Sequence, residues 1–274
     1  IKMKDVKILL AEDNDINQEV VREILTQVGC AVDIVENGKQ AAEAVLKKKY
    51  DMVLMDCQMP EMDGYEATQA IREQEKEGKV LYRAGNRLPI IALTANAVKG
   101  DRESCLEAGM DDYLSKPVEP FELIEMINSK LSCDEAAEEP ACEPSTGRDT
   151  QETVEPGSRT ADKSAPFDMT SLLSRCMGSQ EFLGKILTKF ETTAAKYLKD
   201  IEEGIEAADA EQVGRLAHSL KGAAANLSAE SLRQAALEME QLGKSGELTN
   251  AGECLEKLKS EIERCLDYLP NMIA

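Results

Sequence analysis

His218 is the only histidine in this chain of 274 residues. It lies in a predicted helix whose apolar side chains form one stripe, because successive residues turn by about 100°. His218 and Lys221 fall on the opposite stripe, together with Gly222. A glycine destabilises a helix by roughly 1 kcal/mol, and this cost is explained if the backbone of another protein must approach closely at Gly222. A lone surface histidine can simply be solvated, but this pattern favours a docking face around a nucleophile. We therefore expect His218 to point outward.

Carboxylates follow two predicted strands in the first half of the chain: residues 6–11 lead to Glu12 and Asp13, and residues 52–55 lead to Asp56. Ligands of an open parallel α/β sheet bind beyond the carboxyl ends of its strands, so the three side chains should lie together at one edge. Clustered carboxylates repel one another unless a cation joins them, and Mg²⁺ prefers such oxygen ligands. The sequence therefore predicts a magnesium site at this edge.

A hydroxyl and an ammonium should reach the same edge. The strand predicted over residues 89–93 ends at Thr94, and the strand over residues 113–115 ends at Lys116. Taken alone, Thr94 is an ordinary strand-end residue and Lys116 an ordinary solvated cation. Their order along the chain is what supports a role at this edge, because each residue follows a successive strand of one predicted sheet.

Five residues, taken in order, resemble the receiver domain of two-component response regulators: Glu12, Asp13, Asp56, Thr94 and Lys116. The connecting segments over residues 56–64 and 109–117 match that family as well. The resemblance implies an α/β doubly wound, flavodoxin-like fold with a parallel five-stranded sheet. It also implies that Asp56 accepts a phosphoryl group from a phosphohistidine to give an aspartyl phosphate.

The same resemblance assigns partners to the phosphoryl group. It implies a bound Mg²⁺, or Mn²⁺ in its place, with these ligands: Asp13, Asp56, the backbone carbonyl of Gln58 and, through a water, Glu12. The phosphoryl oxygens would contact this cation, Lys116, and Thr94 together with backbone N–H groups. Tyr113 holds the position of an aromatic switch that turns inward, although a tyrosine half-buried at a sheet edge explains it equally well.

The segment around the histidine resembles the histidine phosphotransfer (Hpt) domain, whose signature is matched by His218, Lys221, Gly222 and Leu227. The resemblance implies that the neutral imidazole of His218 is phosphorylated. Such an imidazole is nucleophilic near neutral pH, and the Lys221 ammonium can bind the incoming phosphoryl oxygens.

Helical spacing of apolar residues continues from residue 167 to residue 274 and predicts an all-α antiparallel four-helix bundle. We expect Asp209 to begin the histidine helix and Ser228 to cap the next helix. The stretch from Gly243 to Gly246 should end that next helix.

A change in composition marks an acidic flexible linker over residues 132–166. It separates the receiver domain that the resemblance implies, over residues 1–131, from the helical bundle over residues 167–274. The linker has few large apolar side chains, so it cannot offset its ordering entropy. A coil of this length spans about 30 to 35 Å, which lets Asp56 reach His218 within one chain. The tether corresponds to an effective concentration on the order of a millimolar, which favours an intramolecular contact between receiver and Hpt domains.

The formal net charge of -20 argues against a nucleic-acid partner. No apolar run approaches the roughly 20 residues that cross a bilayer, so we expect no membrane contact by this segment. We expect a cytoplasmic protein, whether free or the cytoplasmic portion of a membrane-anchored kinase. The eight cysteines are scattered along the chain, and the chain has only one histidine that could join them as a zinc ligand. This pattern favours reduced thiols over disulfides or a zinc site.

Two functions fit this sequence. In a phosphorelay, a histidine kinase core loads Asp56, Asp56 exchanges the phosphoryl group with His218, and His218 passes it to a downstream response regulator. In the alternative, the receiver masks His218, which is served by a separate receiver. An aspartyl-phosphate hydrolase is disfavoured because position 58 is Gln rather than Asp.

The chain contains no glycine-rich nucleotide loop and no second histidine that a kinase could autophosphorylate. We therefore expect a phosphotransfer protein without an ATP-binding kinase core in this chain. It resembles the C-terminal part of a hybrid sensor histidine kinase, or a free-standing relay protein built from the same two parts.

Overall fold

The computed structural model describes residue 3 and residues 5–80, 87–94, 99–131 and 165–269. The predicted linker over residues 132–166 lies outside the described residues except for its last two positions. An α/β domain and a helical bundle make up the described part of the chain.

The α/β domain alternates strands with helices, in this order: β1 Lys7–Ala11, α1 Asp15–Gln27, β2 Ala31–Val35, α2 Gly38–Lys47, β3 Met52–Asp56, α3 Gly64–Lys76, β4 Ile90–Thr94, α4 Lys99–Ala108, β5 Asp112–Ser115 and α5 Pro120–Leu131. The five strands are parallel and lie in the order β2-β1-β3-β4-β5. The predicted doubly wound five-stranded sheet is confirmed.

The central strands read as continuous apolar runs because helices cover both faces of the sheet. Every residue of β3 and of β4 is buried. The strand order reverses between β1 and β3, and an open α/β sheet forms its ligand crevice at such a switch point. The carboxyl ends of β1 and β3 carry the predicted acidic residues, so the topology places them in this crevice.

Asn14 fixes the start of α1 directly after the acidic end of β1. Its side-chain oxygen accepts hydrogen bonds from the backbone N–H groups of Ile16 and Asn17, at 2.9 and 3.0 Å. The apolar residues of α1, among them Ile16 and Ile24, are fully buried in the core. This packing holds the polar first turn of α1 beside the crevice.

The second domain contains a short helix and four long ones: α6 Met169–Arg175, α7 Gln180–Glu206, α8 Ala210–Asn226, α9 Glu230–Ser245 and α10 Ala251–Tyr268. Helix α8 packs between α7 and α9, and α10 contacts both of those helices. The predicted helical bundle is confirmed. Helix α1 of the α/β domain also lies against α7 and α8, so the two domains are in contact.

One detail of the bundle differs from the sequence-based predictions. Asp209 caps α8 as predicted, because its side chain accepts from the Gln212 backbone N–H at 2.9 Å. Ser228 does not cap α9, which begins after Ala229 without a side-chain cap. Ser228 instead adopts a positive φ of 54° in the turn that ends α8, and its Oγ accepts from Arg175.

The predicted end of α9 between Gly243 and Gly246 is confirmed, because the helix continues to Ser245 and terminates at Gly246 with a φ of 75°. Gly243 is buried against Gly214 of α8, where an added Cβ would lie 2.4 Å from the Gly214 Cα. The two glycines therefore allow α8 and α9 to approach closely. This approach brings the side chains of α9 beneath the histidine of α8.

Candidate functional site

The predicted acidic residues meet at the carboxyl edge of the sheet. Because β1 and β3 are neighbouring parallel strands, Glu12, Asp13 and Asp56 can each place an oxygen within 4.8 Å of the others. Glu12 and Asp56 are almost fully buried, whereas Asp13 is partly exposed. We refer to these three residues as the acidic cluster.

Lys116 joins two members of the acidic cluster. Its Nζ lies 2.6 Å from Asp56 Oδ2 and 2.7 Å from Glu12 Oε2, and its side chain is only 8% exposed. Lys116 is therefore not an ordinary solvated cation. Burial opposes its charge, but the carboxylates of Asp56 and Glu12 outweigh this effect and raise the pKa of Lys116.

The acidic cluster still carries more negative charge than one ammonium can balance. Burial and the nearby charge of Asp56 raise the pKa of Asp13 to about 6. Burial also raises the pKa of Glu12 well above that of an ordinary carboxyl group, although Lys116 opposes the shift. Three convergent carboxylates with this excess charge are a suitable ligand set for a hard divalent cation.

The remaining predicted receiver residues lie around this edge. Thr94 is buried at the end of β4, the strand that pairs with β3. The Gln58 side chain is exposed, and its backbone N–H donates to Asp56 Oδ1 at 3.2 Å. Tyr113 is half-buried and packs against the apolar cluster that contains Met55.

His218 is not directed into open solvent. Its side chain is 13% exposed, and Nδ1 lies 2.8 Å from Oε1 of Glu240 on α9. The predicted outward orientation is therefore wrong. Helical periodicity identifies the polar stripe of α8, but it does not show that α9 and the other domain cover that stripe.

Glu240 is a functional candidate that the sequence-based search missed. It is buried, and its oxygens lie 2.6 Å from both Lys221 Nζ and Lys244 Nζ. Burial alone would raise the pKa of Glu240, but hydrogen bonds from His218, Lys221 and Lys244 outweigh it and lower the pKa far below the usual range. A signal was available, because Glu240 lies one turn after Ala236 on the buried stripe of α9, where a carboxylate needs partners.

The contact with Glu240 sets the tautomer of His218. An ionised carboxylate can only accept, so we assign the proton of the imidazole to Nδ1. Lys221 Nζ is 3.4 Å from the same ring nitrogen and much closer to Glu240. The lone pair of Nε2 is then available for attack on an electrophile.

Helix α8 reaches the acidic cluster through hydrogen bonds between the two domains. The Ser219 hydroxyl donates to Asp13 Oδ2 at 3.2 Å. Asn14 Nδ2 donates to the Tyr197 hydroxyl at 2.7 Å and to the Ser219 carbonyl at 2.8 Å. These contacts place the histidine helix at the carboxyl edge of the sheet.

Gly222 lies where α8 crosses the first turn of α1. A Cβ added there would come within 3.1 Å of Asn17 Nδ2. The close neighbour predicted for Gly222 is thus a side chain of the same protein and not a foreign backbone. Ion pairs border this interface, including Arg175 with Glu119 at 3.1 Å.

A cavity of about 660 Å³ lies between the two domains. From the α/β domain it is lined by Asp13 and Gln58, and from the bundle by His218 and Ser219. The imidazole and Asp13, one member of the acidic cluster, therefore border one shared space.

Comparison with protein families agrees with the division into an α/β domain and a helical bundle. The model of the response regulator receiver domain matches residues 8–128, and the model of the Hpt domain matches residues 185–269. The chain is a receiver domain followed by an Hpt domain. The match to the receiver domain contains the whole acidic cluster, and the match to the Hpt domain contains His218.

Known proteins are similar to part or nearly all of this chain. Hybrid signal transduction histidine kinase B of Dictyostelium discoideum is 45% identical over 130 residues, which cover 46% of this chain and 7% of the relative. The aerobic respiration control sensor protein ArcB of Escherichia coli K12 is 29% identical over 276 residues, which cover 98% of this chain and 32% of the relative. The chain thus spans less than a third of the length of either relative.

The receiver domain of the Pseudomonas aeruginosa PAO1 sensor histidine kinase PA1611 is a similar solved structure. It is 45% identical, with a TM-score of 0.41, and covers 46% of this chain and 98% of that chain. That crystal structure has a magnesium ion coordinated in its active site cleft.

In the part of the present chain that is described, no helix is both long and apolar enough to traverse a bilayer.

Replacing Asp13 with asparagine is expected to stabilise the receiver domain. The raised pKa of Asp13 means that the folded state disfavours its charge, so its contribution to stability falls as pH rises from about 4 to about 6. In Asp13→Asn, the free energy of unfolding near pH 7.5 should increase by about 1 to 3 kcal/mol. Urea denaturation in the presence of a chelator measures this change.

Asp15→Asn is the matched control for Asp13→Asn. Asp15 is a half-exposed carboxylate in the first turn of α1, where it pairs with Lys189 outside the acidic cluster. Its removal should change stability by no more than about 0.5 kcal/mol. A loss of stability in Asp13→Asn at pH 7.5 would contradict the excess of negative charge inferred for the acidic cluster.

Proposed function

We propose that this chain is a phosphorelay module in which Asp56 accepts a phosphoryl group from a phosphohistidine and exchanges it with His218. The observation that carries the proposal is the shared cavity, which His218 borders from one side and Asp13 and Gln58 border from the other. The contact from Ser219 to Asp13 holds the histidine helix against the phosphoacceptor edge.

Asp56 is the nucleophile in the first transfer. Its carboxylate oxygen attacks the phosphorus of the donor, the P–N bond breaks, and the donor imidazole leaves with the bonding electron pair. Lys116 already contacts Asp56 and supplies a positive charge for the phosphoryl oxygens. Thr94, with backbone N–H groups, is proposed to bind these oxygens as well, and Tyr113 to respond as the switch.

A cation would complete the receiver site. Asp13 and Asp56, the backbone carbonyl of Gln58 and, through a water, Glu12 would hold Mg²⁺, and Mn²⁺ suits the same ligands. When bound, the cation neutralises the negative charge of the carboxylates and of the phosphoryl oxygens. The convergence of three carboxylates within 4.8 Å supports this assignment.

His218 is the nucleophile in the second transfer. The Nε2 lone pair attacks phosphorus, the P–O bond to Asp56 breaks, and the Asp56 carboxylate is released. No proton has to leave the ring, because Nδ1 keeps its proton and its hydrogen bond to Glu240. Glu240 balances the positive charge that the imidazole acquires, and Lys221 and Lys244 hold Glu240 in place. Lys221 is further proposed to contact the transferred phosphoryl oxygens.

The partners of the module follow from the two transfers. A histidine kinase core, on the same parent chain or a separate one, would donate to Asp56. A downstream response regulator receiver would accept from His218, and the contact between the two domains seen here would serve the internal step. We propose that these reactions occur in the cytoplasm and that neither nucleic acid nor a membrane contacts this segment.

A second function is supported by the burial of His218. Only 13% of this side chain is exposed, and the receiver faces it across the shared cavity, so the docked receiver could mask the imidazole from other proteins. In that case Asp56 phosphorylation would release the Hpt domain, and a separate receiver would serve His218. The two functions predict different fates for the phosphoryl group on Asp56.

The relay is tested by loading the intact chain with a radiolabelled low-molecular-weight acyl phosphate and Mg²⁺. Aspartyl phosphate is hydrolysed in base, whereas phosphohistidine is hydrolysed in acid and survives base. We expect base-labile label to appear first and acid-labile label on His218 to follow. Label that remains entirely base-labile after Asp56 has been loaded would contradict the relay.

A further inference from the structure

We propose that the Hpt domain helps to build the cation site of the receiver, because two residues of α8 position the carboxylates of Asp13 and Glu12. Ser219 acts on Asp13 directly, and Asn226 acts on Glu12 through Asn17. Cation binding and domain docking are then coupled. This inference rests on the cation site proposed above.

The first connection is direct. The Ser219 hydroxyl crosses the domain interface and donates to Oδ2 of Asp13. A hydrogen bond to one oxygen restricts rotation of the carboxylate, as partners of metal-binding carboxylates commonly do. Docking of α8 therefore fixes a side chain that is otherwise partly exposed at the rim of the acidic cluster.

The second connection passes through an amide. Asn226 Nδ2 donates to Asn17 Oδ1 at 2.7 Å, and Asn17 Nδ2 donates to Glu12 Oε1 at 2.7 Å. Each of these residues is at most 5% exposed, so the chain of hydrogen bonds is shielded from water. Asn226 sets the orientation of the Asn17 amide, and that orientation presents a donor to Glu12.

The geometry of α8 allows both connections at once. Ser219 and Asn226 are seven residues apart, so they lie two turns apart on one helix face. Gly222 lies between them, where the absence of a side chain leaves room for Asn17. The amide oxygen of Asn226 is buried and has no hydrogen-bond partner among the described residues.

The consequence is a reciprocal coupling. If the docked Hpt domain holds Asp13 and Glu12 in place, the docked chain binds a divalent cation more tightly than the undocked chain. By thermodynamic linkage, the cation must then favour docking by the same factor. His218 would approach Asp56 preferentially in chains whose receiver site is loaded with its cation.

The test is the Mg²⁺ affinity of the intact chain, measured by isothermal titration calorimetry without a phosphodonor. The Kd for Mg²⁺ should rise about 10-fold in the double variant Ser219→Ala and Asn226→Ala, and by a smaller factor in each single variant. Ser219→Thr retains the hydroxyl and should keep a Kd close to that of the unaltered chain. Circular dichroism establishes that each variant is folded.

Tyr197→Phe is the matched control. It removes a hydrogen bond from Asn14 across the same interface, but Tyr197 contacts neither Asp13 nor Glu12 through that bond. Its Kd should stay within about twofold of the unaltered value, because Asn14 Nδ2 keeps its hydrogen bond to the Ser219 carbonyl at 2.8 Å. An equal weakening in Tyr197→Phe would overturn the roles given to Ser219 and Asn226.

Two further results would overturn the inference. An unchanged Kd in the folded double variant would remove the coupling while leaving the proposed cation site intact. No Mg²⁺ binding by the unaltered chain would contradict the cation site itself. The two failures are therefore distinguished by the titration of the unaltered chain.

Discussion

Replacing Asp56 with asparagine is expected to abolish the labelling of His218 by an acyl phosphate. The carboxylate of Asp56 is the proposed nucleophile, and the amide of asparagine has almost the same shape without nucleophilic character. Lys116 keeps an ion pair with Glu12 in the variant, so the buried ammonium is not left unpaired. The measurement is the amount of acid-labile, base-stable label on the intact chain after loading.

Asp63→Asn is a matched control for Asp56→Asn. Asp63 lines the same cavity, but it lies outside the acidic cluster and caps α3 by accepting from the Glu66 backbone N–H. Asparagine is an equally good capping residue, so the fold should be unaffected. In Asp63→Asn, His218 should be labelled to the same extent as in the unaltered chain. Labelling of His218 in Asp56→Asn would contradict the ordered relay.

His218→Gln distinguishes the relay from the masking function. In the relay, His218 accepts the phosphoryl group from Asp56, so removing the imidazole should make aspartyl phosphate accumulate. In the masking function, His218 is not the acceptor, and the turnover of Asp56 phosphate should remain the same. The base-labile label at steady state is the quantity to compare between His218→Gln and the unaltered chain.

The arrangement at the receiver edge follows from local rules, which is why the sequence could predict it. Residues 52–55 are apolar because helices cover both faces of the sheet, and the strand ends where Asp56 begins the loop. Once the strands are assigned as parallel, Glu12, Asp13 and Asp56 must share an edge. The burial of Lys116 did not follow from this pattern, since the pattern gives its place in the chain and not its depth.

Contacts between the two domains left a much weaker signal in the sequence. Asn14 and Asn17 have the composition of an ordinary helix start, and Asn14 does cap α1. Their second role, bonding to Tyr197 and Asn226, depends on residues about 200 positions away. Hydrophobic periodicity carries no information on such polar pairs, because it reports which face is buried and not what covers it.

The carboxylate of Glu240 should matter both for stability and for the second transfer. Glu240→Ala leaves the ammonium of Lys221 partly buried without its carboxylate, and we expect the free energy of unfolding at pH 7 to fall by about 2 to 4 kcal/mol. Because the pKa of Glu240 is lowered in the folded state, its contribution is present above about pH 4.5 and is lost as pH falls toward the lowered pKa. The difference between Glu240→Ala and the unaltered chain should therefore shrink in acid.

The same substitution should slow the labelling of His218 at a temperature where both chains are folded. A hydrogen bond to an ionised group contributes about 1.5 to 3 kcal/mol, which corresponds to about 10- to 150-fold in rate if it is lost in the transition state. Glu238→Ala is the control, since Glu238 lies on the same helix and forms an exposed pair with Lys257. A labelling rate in Glu240→Ala equal to that of the control would show that Glu240 stabilises the bundle without activating the imidazole.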